Sequence, residues 1–91
     1  MIEKLVLFTY VTCGHCNSLK KRLTDESIPF LNVDVVENRS DWLLIVEQIG
    51  IDIIPTVYIK DVGNDPGTFF QPGRDFKDED EMVEIIKKHI G

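Results

Sequence analysis

The hydrophobic pattern changes period several times along the chain, and each change marks an element. Residues 4–10 (KLVLFTY) form a short apolar run rich in β-formers, long enough for a buried strand and too short for an ordinary helix. Past Thr12-Cys13-Gly14-His15-Cys16, apolar residues recur at Cys16, Leu19 and Leu23 with Lys20, Lys21 and Arg22 between them. That spacing predicts an amphipathic helix fading near Asp25-Glu26-Ser27. Pro29 opens a second strand over residues 30–36. Ser40 is the expected N-cap of a second helix, residues 41–49, and Gly50 stands where a left-handed residue would end it. In that helix Leu43, Leu44 and Ile45 are expected mostly in the core, with Trp42 partly exposed near its start.

Residues 56–60 (TVYIK) read as a third strand behind Pro55, and residues 68–71 as a short fourth. The turn chemistry of Asn64-Asp65-Pro66-Gly67 between them predicts a hairpin. Asp78 with Glu81 three positions on is a capping box for a third helix carrying Met82, Val83, Ile85, Ile86 and Ile90. Its first-turn acids and its final Lys87, Lys88 and His89 suit the helix dipole, so the acidic run reads as a helix start rather than a ligand site. The Phe and Tyr residues are assigned to the core, and Lys20-Lys21-Arg22 to a solvated helix face. The order β-α-β-α-β-β-α implies a parallel pair joined by a right-handed crossover, with an antiparallel hairpin added. The expected fold is α/β: a mixed four-stranded sheet flanked by three helices, with residues 1–91 as a single domain.

Composition narrows the function more than the fold. Lys plus Arg number 10 against 16 Asp plus Glu, a net charge of −6, which disfavours binding to nucleic-acid phosphates. Two cysteines are too few to staple a miniprotein, and the loop between Cys13 and Cys16 is too small to constrain an unfolded chain by much. No signal-peptide pattern and no run near the roughly 20 apolar residues of a membrane span is present. The expectation is a soluble, cytoplasmic monomer without membrane contacts.

The chemistry lies in the Cys-x-x-Cys pair. A cysteine at a helix start faces unpaired backbone N–H groups and the positive end of the dipole, which favour the thiolate, the nucleophilic form. Cys16, one turn in, is placed to attack the sulfur of a mixed disulfide formed at Cys13 and release the product. Gly14 adds no bulk beside the nucleophile, and His15 would favour the thiolate further as a cation or hydrogen-bond donor. Two other readings stay open. A structural zinc site needs four ligands, and only His15 and His89 remain. An inert thiol pair would leave the strand-to-helix context unexplained.

With these residues in view, the chain resembles a small member of the thioredoxin superfamily, nearest in size and layout to the glutaredoxins. Residues 8–16 (FTYVTCGHC) are similar to the glutaredoxin pattern of an aromatic residue five before the nucleophile and Thr12 just before it. Ile28-Pro29-Phe30 with Val33-Asp34-Val35 resembles that family's second strand, and Ile54-Pro55-Thr56-Val57 resembles the superfamily's proline loop. The resemblance implies a thioredoxin-like fold and a cis Pro55 beside the cysteines, with Ile54 offering its backbone N–H and C=O to an extended substrate or to glutathione.

There are departures. Gly14-His15 is the inner dipeptide of protein disulfide isomerases, whereas dithiol glutaredoxins commonly carry Pro-Tyr, and residues 50–56 (GIDIIPT) look closer to thioredoxin. Leu7 stands six before Cys13, where thioredoxins carry a buried acid, and Thr12 replaces their Trp. Tyr10 takes the place of a glutathione-contacting Lys, and Pro72-Gly73-Arg74-Asp75 only echoes the glutaredoxin Gly-Gly-Asp loop. Arg74 could supply a carboxylate contact, against the plainer reading of a solvated loop arginine.

The sequence thus reads as a glutaredoxin-like thiol–disulfide oxidoreductase. Cys13 is the expected nucleophile and Cys16 the resolver, tuned by Gly14 and His15, with Thr12, Ile54 and Pro55 lining the substrate side. No bound cofactor or metal is expected. Protein disulfides are the expected substrates, and glutathione as co-substrate, or a thioredoxin-type reductase, the source of electrons. The alternatives are a thioredoxin-type reductant independent of glutathione, a module holding zinc or an iron–sulfur cluster, and a non-catalytic scaffold.

Overall fold

The first strand, β1 (Ile2–Thr9), is buried from Leu5 to its end, which explains its unbroken apolar run: both of its faces are covered. The computed structural model describes residues 2–63 and 67–90. After β1 come α1 (Gly14–Asp25), β2 (Leu31–Asp34), α2 (Arg39–Ile49), β3 (Thr56–Asp61), β4 (Thr68–Phe70) and α3 (Glu79–Ile90). The strands form one sheet in the order β2-β1-β3-β4, with β2 parallel to β1 and the other neighbours antiparallel. This is the predicted mixed sheet with three helices. The turn expected at Asn64-Asp65-Pro66 lies outside the described residues.

Alternation along β1 divides the core in two. Leu7 pairs with Val57 and Leu5 with Ile59, and this face packs on Leu19 and Leu23 of α1 and on Met82, Val83 and Ile86 of α3. Each such fully buried side chain contributes about 1.5–3 kcal/mol. Val6, paired with Tyr58, and Phe8 point the other way, where Trp42 and Val35 cover them. A one-residue slip would exchange the two faces, so the register is strongly specified.

The second helix departs from expectation. Trp42 is buried at 2% exposure, whereas Leu43 and Leu44 are 45% and 60% exposed. The stripe that meets the sheet is Trp42, Ile45, Val46 and Ile49, at i, i+3, i+4 and i+7, so Leu43 and Leu44 fall off the covered face. The Trp42 indole N–H also donates to Asp52 at 3.0 Å. Ser40 is not the N-cap: the helix starts at Arg39, and Asn38 at the cap position makes no side-chain cap bond, its amide donating instead back to the Asp34 carbonyl. Asp34 also shortens β2 relative to the predicted span. Its carboxylate accepts from the N–H groups of Val36 and Glu37, turning the chain out of the sheet. Gly50 ends the helix as expected, with φ 82° and its N–H on the Val46 carbonyl.

At α3 the capping logic holds: Asp78 accepts from the Glu81 N–H at 2.9 Å, while the Glu81 carboxylate takes the Lys77 N–H. The basic cluster of α1 is less free than expected, since Lys21 pairs with Asp25 and Arg22 with Asp80. Phe8 and Phe76 are buried, and Phe69, Phe70 and Tyr58 half-buried. No helix among the described residues is long and apolar enough to cross a membrane.

Candidate active site

The site is built where β1 hands over to α1. The chain turns after Thr9, with the Cys13 N–H on the Tyr10 carbonyl at 3.1 Å, and the Asn17 amide braces the turn by donating to the Val11 carbonyl. Cys13 is the N-cap of α1, with extended backbone angles of φ −82° and ψ 109°. Its sulfur accepts the Cys16 N–H at 3.1 Å, the bond that a serine or aspartate oxygen makes at an ordinary N-cap. A thiolate here would sit at the positive end of the helix dipole with a backbone donor on it.

The two cysteines are joined by a disulfide, their Cα atoms 5.2 Å apart. They are not equivalent to solvent: Cys13 is half-buried, whereas Cys16 lies fully buried on the α1 face that packs against the sheet. Leu7, six positions before Cys13, is also fully buried and apolar, so that position of β1 carries no carboxylate.

The opposing wall comes from β3. The Ile54–Pro55 peptide bond is cis, the geometry the resemblance implied. Thr56 pairs with Phe8, which puts Pro55 beside the end of β1 and next to the turn that carries Cys13. Pro55 is buried, and Ile54 half-buried. Thr12, Gly14 and His15 are exposed on the outer side. A Cβ built on Gly14 meets no heavy atom within 4 Å among the described residues, so the protein's own packing does not require glycine there.

Two contacts at this end of the molecule had no signal in the sequence. His15 Nδ1 lies 2.9 Å from Glu79 Oε1 at the start of α3. Gln71, fully buried, donates from its side-chain amide to the Ile51 carbonyl in the segment that leads to Pro55. Both join residues far apart along the chain, and only the folded topology brings them together. Arg74 is not simply solvated: it donates to Asp75 at 2.8 Å and to the Phe69 carbonyl at 3.0 Å. The Asp75 carboxylate in turn accepts the Gln71 N–H, so this loop is internally tied. His89, at the end of α3, pairs with Asp61 at the far end of β3. Among the described residues no group of three or more His, Cys, Asp or Glu side chains is placed to hold a metal ion.

No curated protein matches the sequence significantly. Among solved structures, a malarial protein aligns with a TM-score of 0.60 at 17% identity, covering 96% of both chains. The thioredoxin Mala s 13 of Malassezia sympodialis aligns with a TM-score of 0.51 at 21% identity, covering 98% of this chain and 80% of its own. At such identities these likenesses speak to the fold, which is thioredoxin-like. The family model for glutaredoxin matches residues 5–63, well over half of the chain, running from β1 through both cysteines and the cis-proline into the end of β3. Because that match covers most of the chain, including the Cys-x-x-Cys pair, the chain belongs to the glutaredoxin family of thiol–disulfide oxidoreductases.

Proposed function

We propose that this protein reduces protein disulfides and mixed disulfides with glutathione through the Cys13/Cys16 dithiol. In the reduced protein the Cys13 thiolate attacks one sulfur of the substrate disulfide. A Cys13–substrate bond forms, the substrate S–S bond breaks, and the departing sulfur leaves as a thiolate that takes up a proton. Cys16, deprotonated, then attacks the Cys13 sulfur and expels the second substrate thiolate. The substrate has gained two electrons and two protons, and the Cys13–Cys16 disulfide is left behind. Two glutathione thiols return it to the dithiol and are themselves oxidised to glutathione disulfide.

The observation that supports this reading most is the asymmetry of the pair. One sulfur caps a helix and is partly accessible, and the other is fully buried one turn behind it. That suits an entering nucleophile and an internal resolver. Ile54, before the cis-proline, is available to pair its backbone with an extended substrate, and Thr12 and Gly14 line the approach. Protein disulfides and glutathione are the partners this chemistry calls for, in a cytoplasmic setting and with the protein acting as a monomer.

The decisive experiment follows NADPH oxidation with a disulfide substrate, recycling the protein either with glutathione plus glutathione reductase or with thioredoxin reductase. Turnover with the glutathione couple, lost in Cys13→Ser, is the expected result. An unchanged rate in Cys13→Ser overturns the assignment of the nucleophile. Recycling by thioredoxin reductase alone would replace glutathione as the electron donor.

A further inference from the structure

The first turns of α1 and α3 meet at His15 and Glu79, 64 positions apart, with Nδ1 and Oε1 separated by 2.9 Å. The imidazole is 81% exposed, but the carboxylate only 20%. Glu79 is not needed to start its own helix, because Asp78 and Glu81 already bond the N–H groups there. The two helices share a buried core through Leu19, Leu23, Met82, Val83 and Ile86, and Arg22 with Asp80 and Lys87 with Glu26 bridge their seam, so the Glu79 carboxylate is delivered to His15 by packed elements. Arg74 is committed to Asp75 and the Phe69 carbonyl, and Asp52 to Trp42.

We propose that Glu79 is a positioning residue for the dithiol, acting through His15. Its carboxylate engages Nδ1, which fixes the orientation of an otherwise free surface imidazole. Nε2 is then the nitrogen left to exchange protons or donate toward the cysteines. An imidazole without this partner, two positions after Cys13 in the first turn of α1, would spread over several rotamers. The role is made relevant by Leu7, apolar and fully buried six positions before Cys13, where β1 therefore carries no acid. The charged partner of the site comes instead from the start of α3. This proposal rests on Cys13 being the nucleophile.

The test measures the rate at which iodoacetamide alkylates the reduced protein at neutral pH, with the labelled residue located by mass spectrometry. It is applied to the wild type, Glu79→Gln, Glu79→Asp, His15→Ala and the double variant Glu79→Gln/His15→Ala. Exposed charge pairs of this kind are worth little individually, so Glu79→Gln is expected to slow Cys13 labelling by about two- to fivefold. Glu79→Asp should recover part of the loss. In the His15→Ala background, Glu79→Gln should have no further effect, because the two act as one unit. A wild-type rate in Glu79→Gln overturns the proposal, as does equal slowing with and without His15, which would mark a purely structural role. Wild-type labelling on a thiol other than Cys13 overturns the nucleophile assignment and this proposal with it, an outcome distinct from an unchanged Cys13 rate.

Discussion

The side-chain amide of Gln71 donates to the backbone carbonyl of Ile51 at 2.9 Å, tying the chain just after β4 to the segment that enters cis-Pro55. Gln71 is fully buried, and its own N–H is held by the Asp75 carboxylate at 2.8 Å. The proline wall of the site is therefore braced from behind by the loop that precedes α3.

Removing the Gln71 side chain takes the donor from the Ile51 carbonyl and leaves a void at a fully buried position. Gln71→Ala is expected to lower stability by about 1–3 kcal/mol in urea unfolding. It should also raise KM for a peptide disulfide more than it lowers kcat, since the wall positions substrate rather than reacts. Unchanged stability together with unchanged KM would show that the brace is dispensable.

Cys16→Ser removes the resolving sulfur but leaves the N-cap at Cys13 intact. A protein disulfide offered to this variant should remain attached as a one-to-one mixed disulfide, visible as a mass adduct that dithiothreitol releases. Absence of the adduct would mean that Cys13 is not the entering nucleophile.

Gly14 has open space where a Cβ would go, and its backbone is already helical. Gly14→Ala should hold or raise the stability of the protein, by up to ~1 kcal/mol, since alanine loses less entropy in a helix. Any fall in turnover with a folded protein substrate, measured against a small disulfide, then reports a contact with the partner rather than damage to the fold.

Trp42 packs on Phe8 with ring centroids 5.5 Å apart and seals the sheet face away from α1 and α3. Trp42→Ala should destabilise by about 3–5 kcal/mol, as other large-to-small core changes do. Leu44→Ala, two residues on and exposed, should stay within about 0.5 kcal/mol of wild type. Denaturant unfolding of the two variants side by side checks the orientation of α2 directly.

Much of this molecule could be read from the linear pattern. The buried strand, the amphipathic stripe of Cys16, Leu19 and Leu23, the Gly50 helix end and the Asp78 cap are all local features. Hydrophobic period, backbone freedom and side-chain-to-backbone bonds act within a few residues, so the sequence alone carries them. The Cys-x-x-Cys pair at a strand-to-helix junction belongs to the same class.

What the sequence could not decide involves residues distant along the chain or choices between helix faces. A run such as Trp42-Leu43-Leu44-Ile45 contains more apolar residues than one face can hold. Only docking on Phe8 and Val6 selects Trp42 and Ile45 over Leu43 and Leu44. The partners of His15, Gln71, Arg22 and His89 are set by how α3 and the loop before it return to the sheet, because hydrogen bonds and ion pairs form through space and leave no periodic trace. The sequence by itself determined the elements and the reactive pair. The tertiary structure decided what stands around that pair, because burial and charge pairing depend on which surfaces meet.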